Sequence, residues 1–134
     1  MDQQSISSLV KLSRSDLIID DPGDDVRGRH VVTVDGKKIG NVDDLLIDSN
    51  ERKVRFLEVG SGGFLGIGEH KSLVPVEAVS RVDDRHVYID HALEHVAGAP
   101  HYDPQVDIAD RYVTSIYGYY GYTPPPWVPG AETE

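Results

Sequence analysis

Two histidines four residues apart, His91 and His95, frame the sequence His-Ala-Leu-Glu-His. On a helix they would share one face and could chelate zinc, with Glu94 available as a base, as in some zinc proteases. A catalytic zinc also needs a third protein ligand, and nothing in the sequence points to His86 or His101 for that role. Six histidines in 134 residues make this spacing easy to meet by chance. We therefore expect no metal site, and we keep His91 and His95 only as the alternative ligands.

A glycine-rich segment, residues 60–68, precedes a Lys-Ser pair and invites comparison with a phosphate-binding loop. A Walker A loop needs glycine directly before the lysine and a helix after it, but His70 stands there and a strand is predicted to follow. The segment instead presents Phe64, Leu65 and Ile67. We interpret these three either as partner-binding residues or as a plug for one end of a β-barrel.

Other catalytic arrangements have no support in the sequence. Asp43 and Asp44 are neighbours in a predicted strand and must point to opposite faces, while Asp83 and Asp84 are typical of a turn. The nucleophile-elbow pattern G-x-S-x-G does not occur. The absence of cysteine excludes disulfides, thiolate metal sites and cysteine nucleophiles. We therefore expect no enzyme activity and no cofactor.

The C-terminal region is rich in tyrosine. Five of the seven tyrosines lie within eleven positions, and three prolines and Trp127 follow them. Tyrosine and tryptophan offer large rigid contact areas, so we predict partner-binding roles for Tyr117, Tyr119, Tyr120 and Trp127. The alternative is that the helix and tail fold back and complete the core of their own domain. An exchanged homodimer would satisfy both interpretations.

The elements that would position these residues are mostly short strands. About six strands are predicted between residues 26 and 92, with turns at Asp35-Gly36, Asp48–Glu51 and Asp83-Asp84 and a bulge or bend at Gly40. Closure into a barrel would remove their exposed edges. Apolar residues at helical spacing then predict a helix from Pro104 to Tyr117, which ends at Gly118.

The charge is unevenly distributed. The chain carries a formal net charge of −10, and most of it lies in the two flanks. Acidic flanks repel nucleic-acid phosphates and anionic membranes. No apolar run is long enough to span a bilayer, and the first residues do not resemble a secretory signal. From these features we expect a cytoplasmic location, no direct nucleic-acid partner and no membrane insertion.

The central part of the chain resembles the PRC-barrel domain family. The resemblance rests on Asp25–Gly28, Val34–Asp48, Gly62–Gly68 and Leu73–Val79, and it covers roughly residues 25–92. That family takes its name from the cytoplasmic barrel of the photosynthetic reaction centre H subunit, and it also provides the second domain of a ribosome maturation factor. The resemblance implies a six-stranded barrel used for protein contacts and assembly, with no catalytic residues to transfer.

The sequence thus predicts an all-β fold: a small closed six-stranded PRC-type barrel with a C-terminal α-helix and an aromatic, proline-rich tail. We divide the chain into an acidic leader (1–25), the barrel (26–92) and the helix and tail (93–134). We predict a non-catalytic protein-interaction module, or adaptor, whose partner is another protein or a second copy in a homodimer. The alternatives are a small-ligand- or metal-binding protein that uses His91 and His95, and a ribosome-associated factor.

Overall fold

The computed structural model describes residues 9–60, 71–100, 102–103 and 110–125. These residues form seven strands, two α-helices and three short 3₁₀ turns, at Leu12–Arg14, Pro22–Asp24 and Val76–Ala78. The strands are β1 (Leu9–Lys11), β2 (His30–Val32), β3 (Lys38–Asp48), β4 (Val54–Gly60), β5 (Lys71–Pro75), β6 (Val79–Val82) and β7 (His86–Ile89). The helices are α1 (Leu93–Ala97) and α2 (Asp110–Tyr120).

All seven strands belong to one mixed sheet whose main order is β5-β4-β3-β2-β7-β6. The pairing of β2 with β7 is parallel, whereas the other pairings are antiparallel. The long strand β3 pairs with β4 along one edge. Its other edge is shared, since the first part pairs with β2 and the last three residues pair with β1.

The predicted closed six-stranded barrel is wrong, because the sheet is open and has a seventh strand. The end strands β5 and β6 do not pair with each other in the described structure. The chain leaves β5 at Pro75 and turns through Val76–Ala78, so β6 starts at a corner and pairs with β7 instead. The seventh strand is β1, which comes from the segment interpreted as a leader. Alternation of side chains predicts strands, but it does not decide whether the two edges of a sheet meet.

The predicted turns are confirmed. The β2–β3 hairpin turns at Asp35-Gly36, where Gly36 has a φ of 80°. The register between β2 and β3 shifts next to Gly40, as expected for a bulge. The β6–β7 hairpin turns at Asp83, whose carboxylate accepts hydrogen bonds from the backbone N–H groups of Arg85 and His86.

The core lies between the sheet and α2. Buried side chains of β3, β4, β5 and β7 form one cluster with Val113, Ile116, Tyr117 and Tyr120 of α2. The ring of Tyr117 lies 5.3 Å from that of Phe56, measured between centroids. Helix α2 packs against the edge strand β5. No helix in the described part of the chain is long and apolar enough to cross a membrane.

The helix does not end where the sequence predicts. It runs through Gly118 and ends at Tyr120, followed by Gly121 with a φ of 88°. The N–H of Tyr122 donates to the carbonyl of Tyr117 at 2.9 Å, which is the closing hydrogen bond of a Schellman motif. Gly121, not Gly118, therefore supplies the left-handed residue. The predicted helix start at Pro104 lies outside the described residues.

Replacing Gly118 and Gly121 with alanine should change the free energy of unfolding in opposite directions. Gly118→Ala should stabilise the protein by up to about 1 kcal/mol, since a Cβ at this helical position meets nothing within 4 Å. Gly121→Ala should destabilise it by about 1–2 kcal/mol, because a side chain is strained at positive φ. Urea denaturation of both variants measures this, and a loss of stability in Gly118→Ala would contradict the assigned helix end.

Candidate functional site

The C-terminal tyrosines predicted to bind a partner lie on the protein's own fold. Tyr117 and Tyr120 are buried in the core, and Tyr119 is half-buried against α1. This is the self-docked arrangement of the two that the sequence left open. The other predicted partner-binding residues, Phe64, Leu65, Ile67 and Trp127, lie outside the described residues.

The two histidines of the zinc-like motif form an aromatic stack with the C-terminal tyrosines. The ring of His95 lies between those of His91, at 5.1 Å, and Tyr119, at 4.3 Å, and both pairs are nearly parallel. Nε2 of His91 lies 3.0 Å from the hydroxyl of Tyr122. Nε2 of His95 lies 3.1 Å from the backbone carbonyl of Tyr119. The stack therefore fastens the segment that contains α1 to the end of α2.

This geometry differs from the helical zinc pair that the sequence left as an alternative. His91 precedes α1, which starts at Leu93, so the two histidines do not share a helix face. A metal ion bound through the two Nε2 atoms would have to displace both of their present partners. Within the described ranges, no group of three or more His, Cys, Asp or Glu residues could hold a metal ion.

A pair of buried carboxylates was missed by the sequence analysis. Asp44 of β3 and Glu58 of β4 lie directly opposite each other in the sheet, and they are only 5% and 4% exposed. A register shift at Asp43 makes this pairing possible, because it leaves Asp43 on the outside and turns Asp44 inward. Like charges opposite each other on adjacent strands are destabilising unless something compensates them.

Three groups from distant parts of the chain compensate the charge of Glu58. Nζ of Lys11, on β1, lies 3.1 Å from one oxygen of Glu58, and Nζ of Lys71, on β5, lies 3.6 Å from the other. The hydroxyl of Tyr102 donates to Glu58 at 3.3 Å. Burial and the adjacent negative charge of Glu58 raise the pKa of that hydroxyl, which keeps it protonated as a donor.

Compensation for Asp44 comes from the segment that follows β1. The backbone N–H of Ser13 donates to Asp44 Oδ1 at 3.2 Å, and its hydroxyl donates to the other oxygen. The N–H of Leu45 donates to Oδ1 at 2.9 Å. Lys11 and Ser13 together make the N-terminal segment a cover for both carboxylates. We call Asp44, Glu58, Lys11 and Ser13 the carboxylate latch.

One signal in the sequence could have revealed the latch. Val54, Phe56 and Glu58 share one face of β4, so the alternation predicts a carboxylate on the same face as two apolar residues. The alternation of side chains along β4 therefore indicates the face on which Glu58 lies. It does not indicate that Asp44 lies opposite, because that depends on the register shift in β3. It does not indicate Lys11 either, because that depends on the pairing of β1 with β3.

A second feature is an apolar groove beside the edge strand β6. It has a volume of about 440 Å³ and lies between β4, the Val76–Ala78 turn, β6 and β7. Its apolar lining is Val26, Val54, Leu57, Val76, Val79, Val82 and Val87. Val82 stands 43% exposed at this opening, whereas Leu57 and Val87 are buried in the core. We call this opening the seam groove.

The rim of the seam groove is acidic on one side. Asp24 lines it, and burial together with the nearby charges of Asp21 and Asp20 raises the pKa of Asp24. A cation placed there would relieve this repulsion. The nearby Arg81 is already engaged, since its guanidinium lies 3.9 Å from the centre of the Tyr88 ring and 4.0 Å from Asp83.

Comparison with known proteins identifies a family but no individual relative. A family model described as the PRC-barrel domain matches residues 15–95, more than half of the chain. A search of the curated proteins finds no match. The matched range excludes β1 and α2, which are the two elements that cover the carboxylates and the core of the sheet.

The latch should behave as a buried ion pair. Lys11→Met leaves Glu58 without its nearest cation and should cost about 3 kcal/mol of unfolding free energy. Adding Glu58→Leu should recover at least half of that loss, because Lys71 keeps its ion pair with Asp43 and no uncompensated charge then remains. Urea denaturation of the two single variants and the double variant measures the coupling. Additive losses would show that the two side chains do not interact.

Protonation of His91 should weaken the fold. Burial and the adjacent His95 lower the pKa of His91 below its ordinary value of about 6.5, while Asp90 opposes that shift. The unfolded chain therefore binds the proton more readily, so stability is complete above about pH 6.5 and falls as the pH drops below it. Compared with the unmodified chain, His91→Phe should lose less stability between pH 7.5 and pH 5.5. Parallel pH dependences of the two proteins would contradict this role of His91.

Proposed function

The chain belongs to the PRC-barrel domain family, and from that premise we propose that it is a non-catalytic interaction module that binds an extended segment of another protein in the seam groove. The observation that carries the proposal is an apolar opening of about 440 Å³ directly beside an edge strand. Small monomeric domains seldom leave such an apolar entrance to the core without a binding role.

The edge strand favours an extended partner. Along the described chain, β6 pairs only with β7, so its other edge offers backbone hydrogen-bonding groups. An added strand could pair with that edge while alternate side chains enter the groove, as in β-augmentation. Every second side chain of the bound segment would then point at the valines.

The lining defines the chemistry of that segment. Valine and leucine walls select aliphatic side chains, whereas Asp24 and its acidic neighbours favour lysine or arginine beside them. The net charge of −10 acts in the same direction, because it disfavours acidic partners. We therefore propose a partner segment that is aliphatic in alternate positions and carries at least one basic residue.

The chemistry of the other sites supports a binding role rather than catalysis. The buried carboxylates are engaged by Lys11, Lys71, Ser13 and Tyr102, and the histidine Nε2 atoms are engaged by tyrosine groups. These contacts serve to hold elements together. A cytoplasmic location and a ribosome-associated role stay predictions from the sequence.

Selection from a displayed library of random short peptides tests the proposal. Peptides with alternating aliphatic residues and a basic residue should be enriched, and Val82→Lys should weaken their binding by about tenfold or more, since a charge then occupies the groove entrance. Asp24→Asn should reduce the preference for the basic residue.

Val34→Lys is the matched control for this selection. Val34 is also exposed, at 62%, but it lies beside the β2–β3 turn and outside the groove. Enriched peptides should bind this variant as they bind the unmodified chain. Equal binding to the Val82→Lys variant, or no enrichment of aliphatic and basic peptides, would overturn the proposal.

A further inference from the structure

The N-terminal strand makes few but specific contacts with the sheet. It pairs through Leu9, Val10 and Lys11 with the last three residues of β3. Lys11 and Ser13 then complete the carboxylate latch, as described above. None of the three β1 residues is fully buried. The segment Leu9–Ser13, which we call the leader strand, is therefore held by one short ladder, by the carboxylate latch and by partial packing of Leu9 and Leu12 against the core.

A short hinge joins the leader strand to the rest of the domain. The chain is anchored again at Ile19, which is buried, and at Asp20, whose N–H donates to the carbonyl of Arg52 at 2.8 Å. The hydrogen bonds that Ser15 and Leu17 make, to Leu12 and to Ser15, are local to this segment. Within the hinge, Ile18 is 72% exposed and is the most exposed large apolar side chain among the described residues.

We propose that the leader strand is exchanged between two copies of this chain, so that each copy supplies Lys11 and Ser13 to the Asp44–Glu58 pair of the other. The exchanged dimer repeats every contact of the leader strand, since the two sites are identical. Its two-fold symmetry closes the assembly at two chains. A partner copy thus contributes two of the four latch residues.

The hinge supplies the contact that a single chain lacks. In an exchanged dimer the two hinges cross near the symmetry axis, where Ile18 of one copy can pack against Ile18 of the other. Burial of apolar surface that is exposed in the single chain favours the dimer. The tethered leader strand competes with an effective concentration in the millimolar range, so the dimer should increase with protein concentration.

The carboxylate pair disfavours a third state, in which the leader strand is withdrawn and its place on the sheet is empty. Withdrawal of the leader strand would leave Glu58 with Lys71 and Tyr102 alone, and it would leave Asp44 without Ser13. Two buried carboxylates opposite each other are costly without their partners. The site is therefore occupied in every stable form of the protein, either by its own leader strand or by that of a second copy.

Engineered cysteines distinguish the two forms, because the natural chain has none. Val10 and Ile47 are register partners, so Val10→Cys with Ile47→Cys should form a disulfide wherever the leader strand is seated. Protein equilibrated from about 1 µM to about 1 mM is then oxidised and examined by mass under non-reducing conditions. We expect doubly linked dimers whose fraction rises with concentration, and only intramolecular disulfides at every concentration would overturn the proposal.

Two further substitutions in the chain with Val10→Cys and Ile47→Cys test the hinge contact, one as the test and one as its control. Ile18→Asp should decrease the dimer fraction, since it places like charges at the crossing of the hinges. Val34→Asp introduces the same charge at another exposed apolar position and should leave the dimer fraction unchanged. Equal effects of the two substitutions would count against the hinge contact.

A charge exchange provides a test that does not depend on cysteines. A Lys11→Glu chain and a Glu58→Lys chain each carry like charges in their own latch, whereas the exchanged heterodimer restores two opposite-charge pairs. Mixing them should give a one-to-one heterodimer by native mass spectrometry, and two unmixed species would overturn the proposal. The Val82→Lys substitution does not touch the latch, so failure of strand exchange and failure of groove binding are distinguishable.

Discussion

Two carboxylates that face each other across adjacent strands impose the main electrostatic constraint on this fold. Asp44 and Glu58 are buried, so their charges have to be compensated inside the protein. The compensating groups come from β1, from β5 and from Tyr102, which are distant in the chain. The segments around β1 and Tyr102 are thereby joined to the middle of the sheet by polar contacts as well as by apolar packing. These contacts explain why Leu9–Lys11 lies on the sheet of the domain.

The open edge of the sheet has a different physical origin. Proline at the end of β5 and the 3₁₀ turn that follows it direct β6 away from β5, so the two end strands cannot form a ladder. Valines of β4, β6, β7 and the Val76–Ala78 turn line the seam groove. A closed sheet would have paired the edge of β6. The departure from closure therefore leaves a strand edge beside the apolar groove, and the proposed function rests on these two features.

At the C-terminal end, aromatic residues hold the helix on the sheet. Tyr117 and Tyr120 enter the core, while Tyr119 and Tyr122 engage His95 and His91. The tyrosine-rich composition predicts a large contact area. In the described structure, however, much of that area packs against the protein's own domain. Gly121 sets the length of the helix, because its positive φ allows the closing hydrogen bonds of the last turn.

The sequence alone determined the local features of this protein. Hairpin turns at Asp35-Gly36 and Asp83, the opposite faces of Asp43 and Asp44, and the family resemblance all follow from neighbouring residues and their spacing. Closure of the sheet, the seventh strand and the Asp44–Glu58 pairing did not follow from it. These features depend on which distant strands pair and in which register, and a shift of one residue reverses the faces of a strand. Only the tertiary structure decided them, because the free energy of burying two carboxylates depends on the groups that the whole fold brings beside them.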